Sequence, residues 1–153
     1  MADRLELSRD HQDYLKSRHR LPQPRNALSE ALRTYAPAAM AVSDGLVGDL
    51  AKLCRASRVA AHVDVWSVPL SDAAQAAYCK EPSLIVTILT GGDDHEIVAT
   101  LPPDTVAPLR DAALPAGIAV TEIGRVVMGE GIARFVDQSG EMLTFANPSF
   151  SHL

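Results

Sequence analysis

Six consecutive residues, Gly91-Gly92-Asp93-Asp94-His95-Glu96, carry the densest chemistry in this chain: two glycines, three carboxylates and an imidazole between the apolar runs Leu84–Leu89 and Ile97–Leu101. Like charges this close repel one another unless a cation or a cationic ligand sits among them. The cluster therefore suits a phosphate-and-metal site; the competing reading is a tight turn with solvated acids. Its glycine pair permits close backbone approach or a positive φ, which a plain turn also uses. If the chain is extended from Asp94 onward, Asp94 and Glu96 face one side and Asp93 and His95 the other. A second turn, Val42-Ser43-Asp44-Gly45-Leu46, stands where a strand is expected to end and an amphipathic helix to begin. A helix N-terminus presents unpaired N–H groups and positive dipole potential, which suit a phosphate. Asp44 beside it suits Mg²⁺, an ion that takes one or two carboxylates plus phosphate oxygens. Simple capping by Ser43 or Asp44 explains the same spacing.

The elements that must position these turns follow from periodicity. Residues 8–19 read as a polar helix with Ser8 as its cap. The run Leu21-Pro22-Gln23-Pro24-Arg25 breaks it, because each proline removes a donor and disfavours helix in the residue before it. Asn26 is expected to cap a short helix with Leu28, Leu32 and Tyr35 on one face, ended by Pro37. Ala38 to Val42 reads as a buried strand. From Gly45 to Ser57, Leu46, Val47, Leu50, Leu53 and Cys54 recur at helical spacing, which puts Asp49, Lys52 and Arg55 on the opposite, polar side. Ala60 to Val68 alternates with period two and reads as a half-buried strand. Ser71 and Asp72 open a short helix through Tyr78, and Pro102-Pro103 start one containing Val106, Leu109 and Leu114. Strands are expected at Ile118–Val127, Ile132–Val136 and Met142–Phe145. Helices and strands intersperse without strict alternation, so the expected class is α+β with helices packed on a mixed sheet. The expected organisation is an arm with a helix over residues 1–25, able to reach a partner, and a single α+β domain over 26–153.

At 153 residues there is room for one ordinary core, and 47% hydrophobic content with 5% aromatics makes it a core of Ala, Val, Leu and Ile. The net charge of −5 argues against nucleic-acid binding, which needs a basic excess for phosphate contacts. Cys54 and Cys79 form neither a disulfide framework nor a zinc spacing, and Cys54 reads as a small buried thiol. No apolar run is long enough to span a bilayer, and the charged N-terminus lacks a signal-peptide core. A soluble, cytoplasmic protein is the expectation.

With both turns in view, the order of segments resembles the C-terminal domain of thiamine-monophosphate kinases, in the superfamily that includes aminoimidazole ribonucleotide synthetase. The resemblance rests on Tyr14-Leu15, Arg20 through Arg25, Val42 through Leu46 with Asp49-Leu50, and Leu53 through Ser57. It continues through Pro69-Leu70-Ser71, Leu89 through Glu96, Ile123-Gly124-Arg125-Val126 and the tail near Phe150. In that family ATP and thiamine monophosphate bind between two domains, Mg²⁺ bridges the phosphates, and thiamine diphosphate is formed. Such transfer depends on positioning and charge neutralisation. The resemblance implies that Ser43, Gly91 and Gly92 lie on the ATP side and that Asp44 binds Mg²⁺. It likewise puts Asp94, Glu96 and Phe150 on the thiamine side, Phe150 packing on the ring.

The chain also departs from the pattern. Ala41 stands where the family has a Mg²⁺-binding aspartate, His95 replaces the usual tyrosine, and the tail reads Ser149-Phe150-Ser151-His152-Leu153. The family's N-terminal domain does not lie within these residues. A methyl cannot ligate a cation, and one lost ligand removes several kcal/mol of charge stabilisation. The expectation is thus a C-terminal domain that keeps part of a thiamine-phosphate or nucleotide pocket and does not catalyse alone. Two alternatives are half of a split kinase completed by a separate N-terminal domain, and a non-catalytic module that self-associates.

Overall fold

Helix α1 (Arg9–Arg20) begins where the sequence caps it: Ser8 Oγ accepts from the His11 N–H at 3.2 Å. Arg18, His19 and Arg20 occupy its last turn, where positive charge meets the negative end of the dipole. The computed structural model describes residues 5–147. After α1 come α2 (Ser29–Tyr35), β1 (Ala38–Val42), α3 (Leu46–Ser57), β2 (Val59–Asp64), α4 (Asp72–Lys80) and α5 (Leu84–Thr90). The rest are β3 (Glu96–Thr100), α6 (Val106–Ala113), β4 (Gly124–Met128) and β5 (Ala133–Val136).

The class is α+β with mixed pairing, as expected, but the strands divide between two sheets. Strands β1 and β3 pair antiparallel from Ala38↔Thr100 to Val42↔Glu96. The other sheet has the order β4-β2-β5, with β2 antiparallel to β4 and parallel to β5. Helix α3 lies between them and touches β1, β2, β5 and α5. Its Val47, Leu50, Leu53 and Cys54 join Val42 and Val98 from one sheet and Val63 and Phe135 from the other in one buried cluster. Each such side chain stabilises the fold by roughly 1.5–3 kcal/mol. Phe145 packs edge-on against Phe135, centroids 5.4 Å apart. A smaller cluster of Leu7, Ala77 and Leu84 moors the N-terminal helix against α4 of the same chain. Among the described residues no helix is long and apolar enough to cross a membrane.

Several expected elements differ. Asn26 does not cap a helix; it begins a 3₁₀ turn over Asn26–Leu28, and no side chain caps α2. Strand β1 is half-buried rather than buried, since Ala39 and Ala41 are exposed. The period-two stretch stops pairing at Asp64 and tightens into a 3₁₀ turn at Val65–Ser67. Asp64 N–H still donates to Ile123 O at 2.9 Å, but β2 ends there, so the chain at 118–122 has no ladder to join and β4 begins only at Gly124. The last expected strand contributes a single bridge, Val136↔Met142. The apolar run Leu84–Leu89, to which the sequence pattern assigns no element, is helical, within α5.

Candidate functional site

The register of β1 and β3 joins the two chemically loaded turns. Their ladder ends at Val42↔Glu96, and two further bonds continue it. His95 N–H donates to Val42 O at 3.0 Å, and Asp93 N–H donates to Ser43 O at 2.8 Å. The acidic stretch is not extended, because Asp93 and His95 both take left-handed φ values, +68° and +52°. Strict alternation of its side chains therefore does not apply. On the other flank Gly45, at φ +97°, packs so tightly that a Cβ there would lie 2.7 Å from the carbonyl carbon and oxygen of Thr90. Gly91 serves close approach, not a positive φ: a Cβ on it would meet Thr87 O at 2.8 Å. Backbone bonds thus join the acidic stretch to the Ser43 turn, and the contact of Gly45 with Thr90 brings the start of α3 against the end of α5.

The charge under this surface comes from a residue placed on the wrong side by helical spacing. Asp49 is 1% exposed and is the one buried charged residue among those described. Its Oδ2 accepts the N–H groups of Ser43 at 2.8 Å and Asp44 at 2.9 Å. Lys52 Nζ donates to Asp49 Oδ1 at 2.8 Å and to Asp44 Oδ2 at 2.6 Å. Two N–H groups that could have faced a phosphate are spent on this carboxylate. The hydrogen bonds to Asp44 and then Asp49 hold the Lys52 ammonium above its usual pKa. Asp49 lies three residues after Leu46 and four before Leu53, inside the apolar row; that position was the signal in the sequence.

Glu96 opens β3 and is gripped from the other end of the chain. Arg25 Nε donates to Glu96 Oε2 at 2.8 Å, Arg25 Nη2 closes the fork on Oε1, and Arg18 stands 3.8 Å away. The bond to Glu96 is also what raises the Arg25 pKa most. Sequence spacing gave no sign of this pair, because 71 residues separate Arg25 from Glu96.

Asp94 behaves differently. Its carboxyl is pushed up from 3.8 to about 6, first by desolvation, then by the charges of Glu96 and Asp93, with His95 opposing. The residue is exposed as a whole, so solvent screening softens the repulsion. A raised native pKa means that the folded state holds this proton more tightly than the unfolded one. The resulting stability is full below the unfolded value of 3.8 and is lost as the pH rises through about 6. Urea unfolding at about pH 5 and pH 7 is expected to show this loss in the native chain and a smaller one in Asp94→Asn. Identical pH dependence in the two proteins would contradict it.

Phe150 lies outside the described residues. Among those described, no group of three or more His, Cys, Asp or Glu side chains could hold a metal ion. Asp44, 31% exposed, already accepts from Lys52 and from Ser43 Oγ at 3.2 Å. The residues present therefore do not by themselves fit Mg²⁺.

Residues 5–137 match the family described as AIR synthase related protein, C-terminal domain. The thiamine-monophosphate kinase of Caulobacter vibrioides is 40% identical over 121 residues, which are 77% of this chain and 34% of that protein. The thiamine-monophosphate kinase of Salmonella typhimurium is 33% identical over 153 residues, 99% of this chain and 46% of that protein. Among solved structures, AaThiL complexed with AMPPCP and TMP superposes with a TM-score of 0.75 at 28% identity, covering 97% of this chain and 44% of that one. The chain spans less than half the length of these relatives.

Proposed function

This chain belongs to the AIR synthase related family, as its C-terminal domain, and from that premise we propose that it forms one wall of a kinase pocket for thiamine monophosphate. In the reaction, the γ-phosphoryl of ATP passes to a phosphate oxygen of thiamine monophosphate, giving thiamine diphosphate and ADP. Ser43 contacts the nucleotide, with Gly91 and Gly92 allowing the backbone to approach it. Glu96 and Asp94 face the thiamine side. Lys52 already holds the Asp44 carboxylate, so any metal that the reaction uses takes its ligands from outside residues 5–147, and this wall does not catalyse alone. The second wall comes from another domain, on the same polypeptide or on a separate one. The same reading implies a cytoplasmic location, where both substrates are available.

The observation that supports this reading is the pair of bonds from Asp93 and His95 to Ser43 and Val42, which fuse the two turns into one surface. Thermal melting with thiamine monophosphate, thiamine diphosphate, ATP and ADP tests it. A ligand at a hundred times its Kd stabilises by about 2.7 kcal/mol, which is several degrees for a chain of this size. Glu96→Ala is expected to reduce the shift from thiamine phosphates and to leave that from nucleotides. No shift from any of the four ligands would overturn the reading.

One observation favours a second reading, a self-associating module. Edge strand β4 leaves Val126 45% and Met128 98% exposed, an apolar edge of the kind that pairs with another chain. A concentration-dependent size distribution that Met128→Lys abolishes would favour it.

A further inference from the structure

The carboxylates around the Ser43-Asp44-Gly45 turn look like a place for a divalent cation, and the geometry shows that a cation of another kind already fills it. We propose that Lys52 is the resident counter-ion of this turn and holds the position that a divalent metal would otherwise take.

Asp49 forms the floor of the turn and is sealed from solvent, with Oδ2 taken by two backbone N–H groups and Oδ1 by Lys52. It offers nothing to an ion arriving from water. Asp44 is the accessible partner, and its Oδ2 is the oxygen nearest the ammonium, at 2.6 Å. An ion bound at that oxygen would sit within contact distance of Nζ, where like charges repel, so it must first displace the lysine. Mg²⁺ also demands near-octahedral oxygen ligands and gives up its waters reluctantly. An ammonium asks for less: three donors, two of which are satisfied here by Asp44 and Asp49. Lys52 stands one turn along the helix from Asp49, so its charge arrives with folding and needs no free ion.

The test uses metal ions alone, without nucleotide or thiamine phosphate, so its failure and the failure of the kinase reading are separate results. The native chain is melted in EDTA and in millimolar MgCl₂, CaCl₂ or MnCl₂ at matched ionic strength, and Mn²⁺ binding is followed by electron paramagnetic resonance. No saturable rise in Tm and no bound Mn²⁺ are expected. Lys52→Gln removes the ammonium that bonds Asp44 and Asp49 and is expected to melt lower in EDTA and to regain stability with divalent ions. Lys52→Arg keeps a cation and is expected to ignore them, as the native chain does. If Lys52→Gln is unfolded in EDTA, its refolding on addition of a divalent ion, read by circular dichroism, supports the proposal. A saturable response of the native chain, or a Lys52→Gln protein that no divalent ion stabilises or refolds, overturns it.

Discussion

Asp49→Ala is expected to lower the unfolding free energy by about 3 kcal/mol, the lower end for breaking a buried ionic pair. The alanine removes the acceptor for the Ser43 and Asp44 N–H groups and half of the Lys52 clamp at once. The lower end applies because Ser43 is exposed and Lys52 is 42% exposed, so water recovers part of what they lose. Asp49→Asn keeps an oxygen for the two N–H groups and gives up the charge, so its cost is expected to be about 1.5 kcal/mol. Urea unfolding at neutral pH measures both. An alanine variant within about half a kcal/mol of the native chain, the scatter of ordinary surface substitutions, would mean that the buried carboxylate does not hold the turn.

Gly45→Ala is expected to cost about 4 kcal/mol, from two sources that a control can separate. At φ +97° and ψ 145° the backbone lies in a region open in practice to glycine alone, worth about 1–3 kcal/mol. The new methyl would also meet the Thr90 carbonyl carbon and oxygen at 2.7 Å, and backbone cannot swing aside as a side-chain tip can. Relieving such overpacking costs a further ~1–3 kcal/mol. Gly140 is the control: its φ is +84°, yet nothing lies within 4 Å of a Cβ placed there. Gly140→Ala therefore reports conformational strain alone, about 1–2 kcal/mol. Gly45→Ala should also lose any thiamine-phosphate melting shift, because the methyl wedges the two turns apart. Equal costs at the two glycines would show that the contact with Thr90 is loose.

How far the sequence could be read depended on whether a residue's neighbours were local. Ser8 and Ser71 cap helices within four residues of themselves, and both were legible, as was the apolar row of α3. Ile118–Val127 reads as strand by composition, but pairing needs a partner, and β2 supplies one only back to Val63↔Gly124. The six-residue apolar run at Leu84 suits a buried strand or a buried helix equally, since periodicity cannot separate them at that length. At the site the residue types flagged both turns. Their junction was hidden, because it is made by backbone bonds in a register that side-chain identity does not encode. Helical spacing sets Asp49 on the solvent face, where polar residues usually lie; here the preceding loop folds over that face and supplies the donors. The fork of Arg25 on Glu96 depends on how the prolines at 22 and 24 aim the chain, which spacing alone cannot give.

That fork leaves the first helix held by two fastenings of opposite temperament. One is greasy, Leu7 seated against Ala77 and Leu84; the other is ionic, Arg25 clasping a half-exposed Glu96. Sodium chloride loosens the ionic one by shielding it. Sulfate, which is excluded from protein surfaces, tightens the greasy one. The leading segment thus answers to which salt surrounds it as well as to how much.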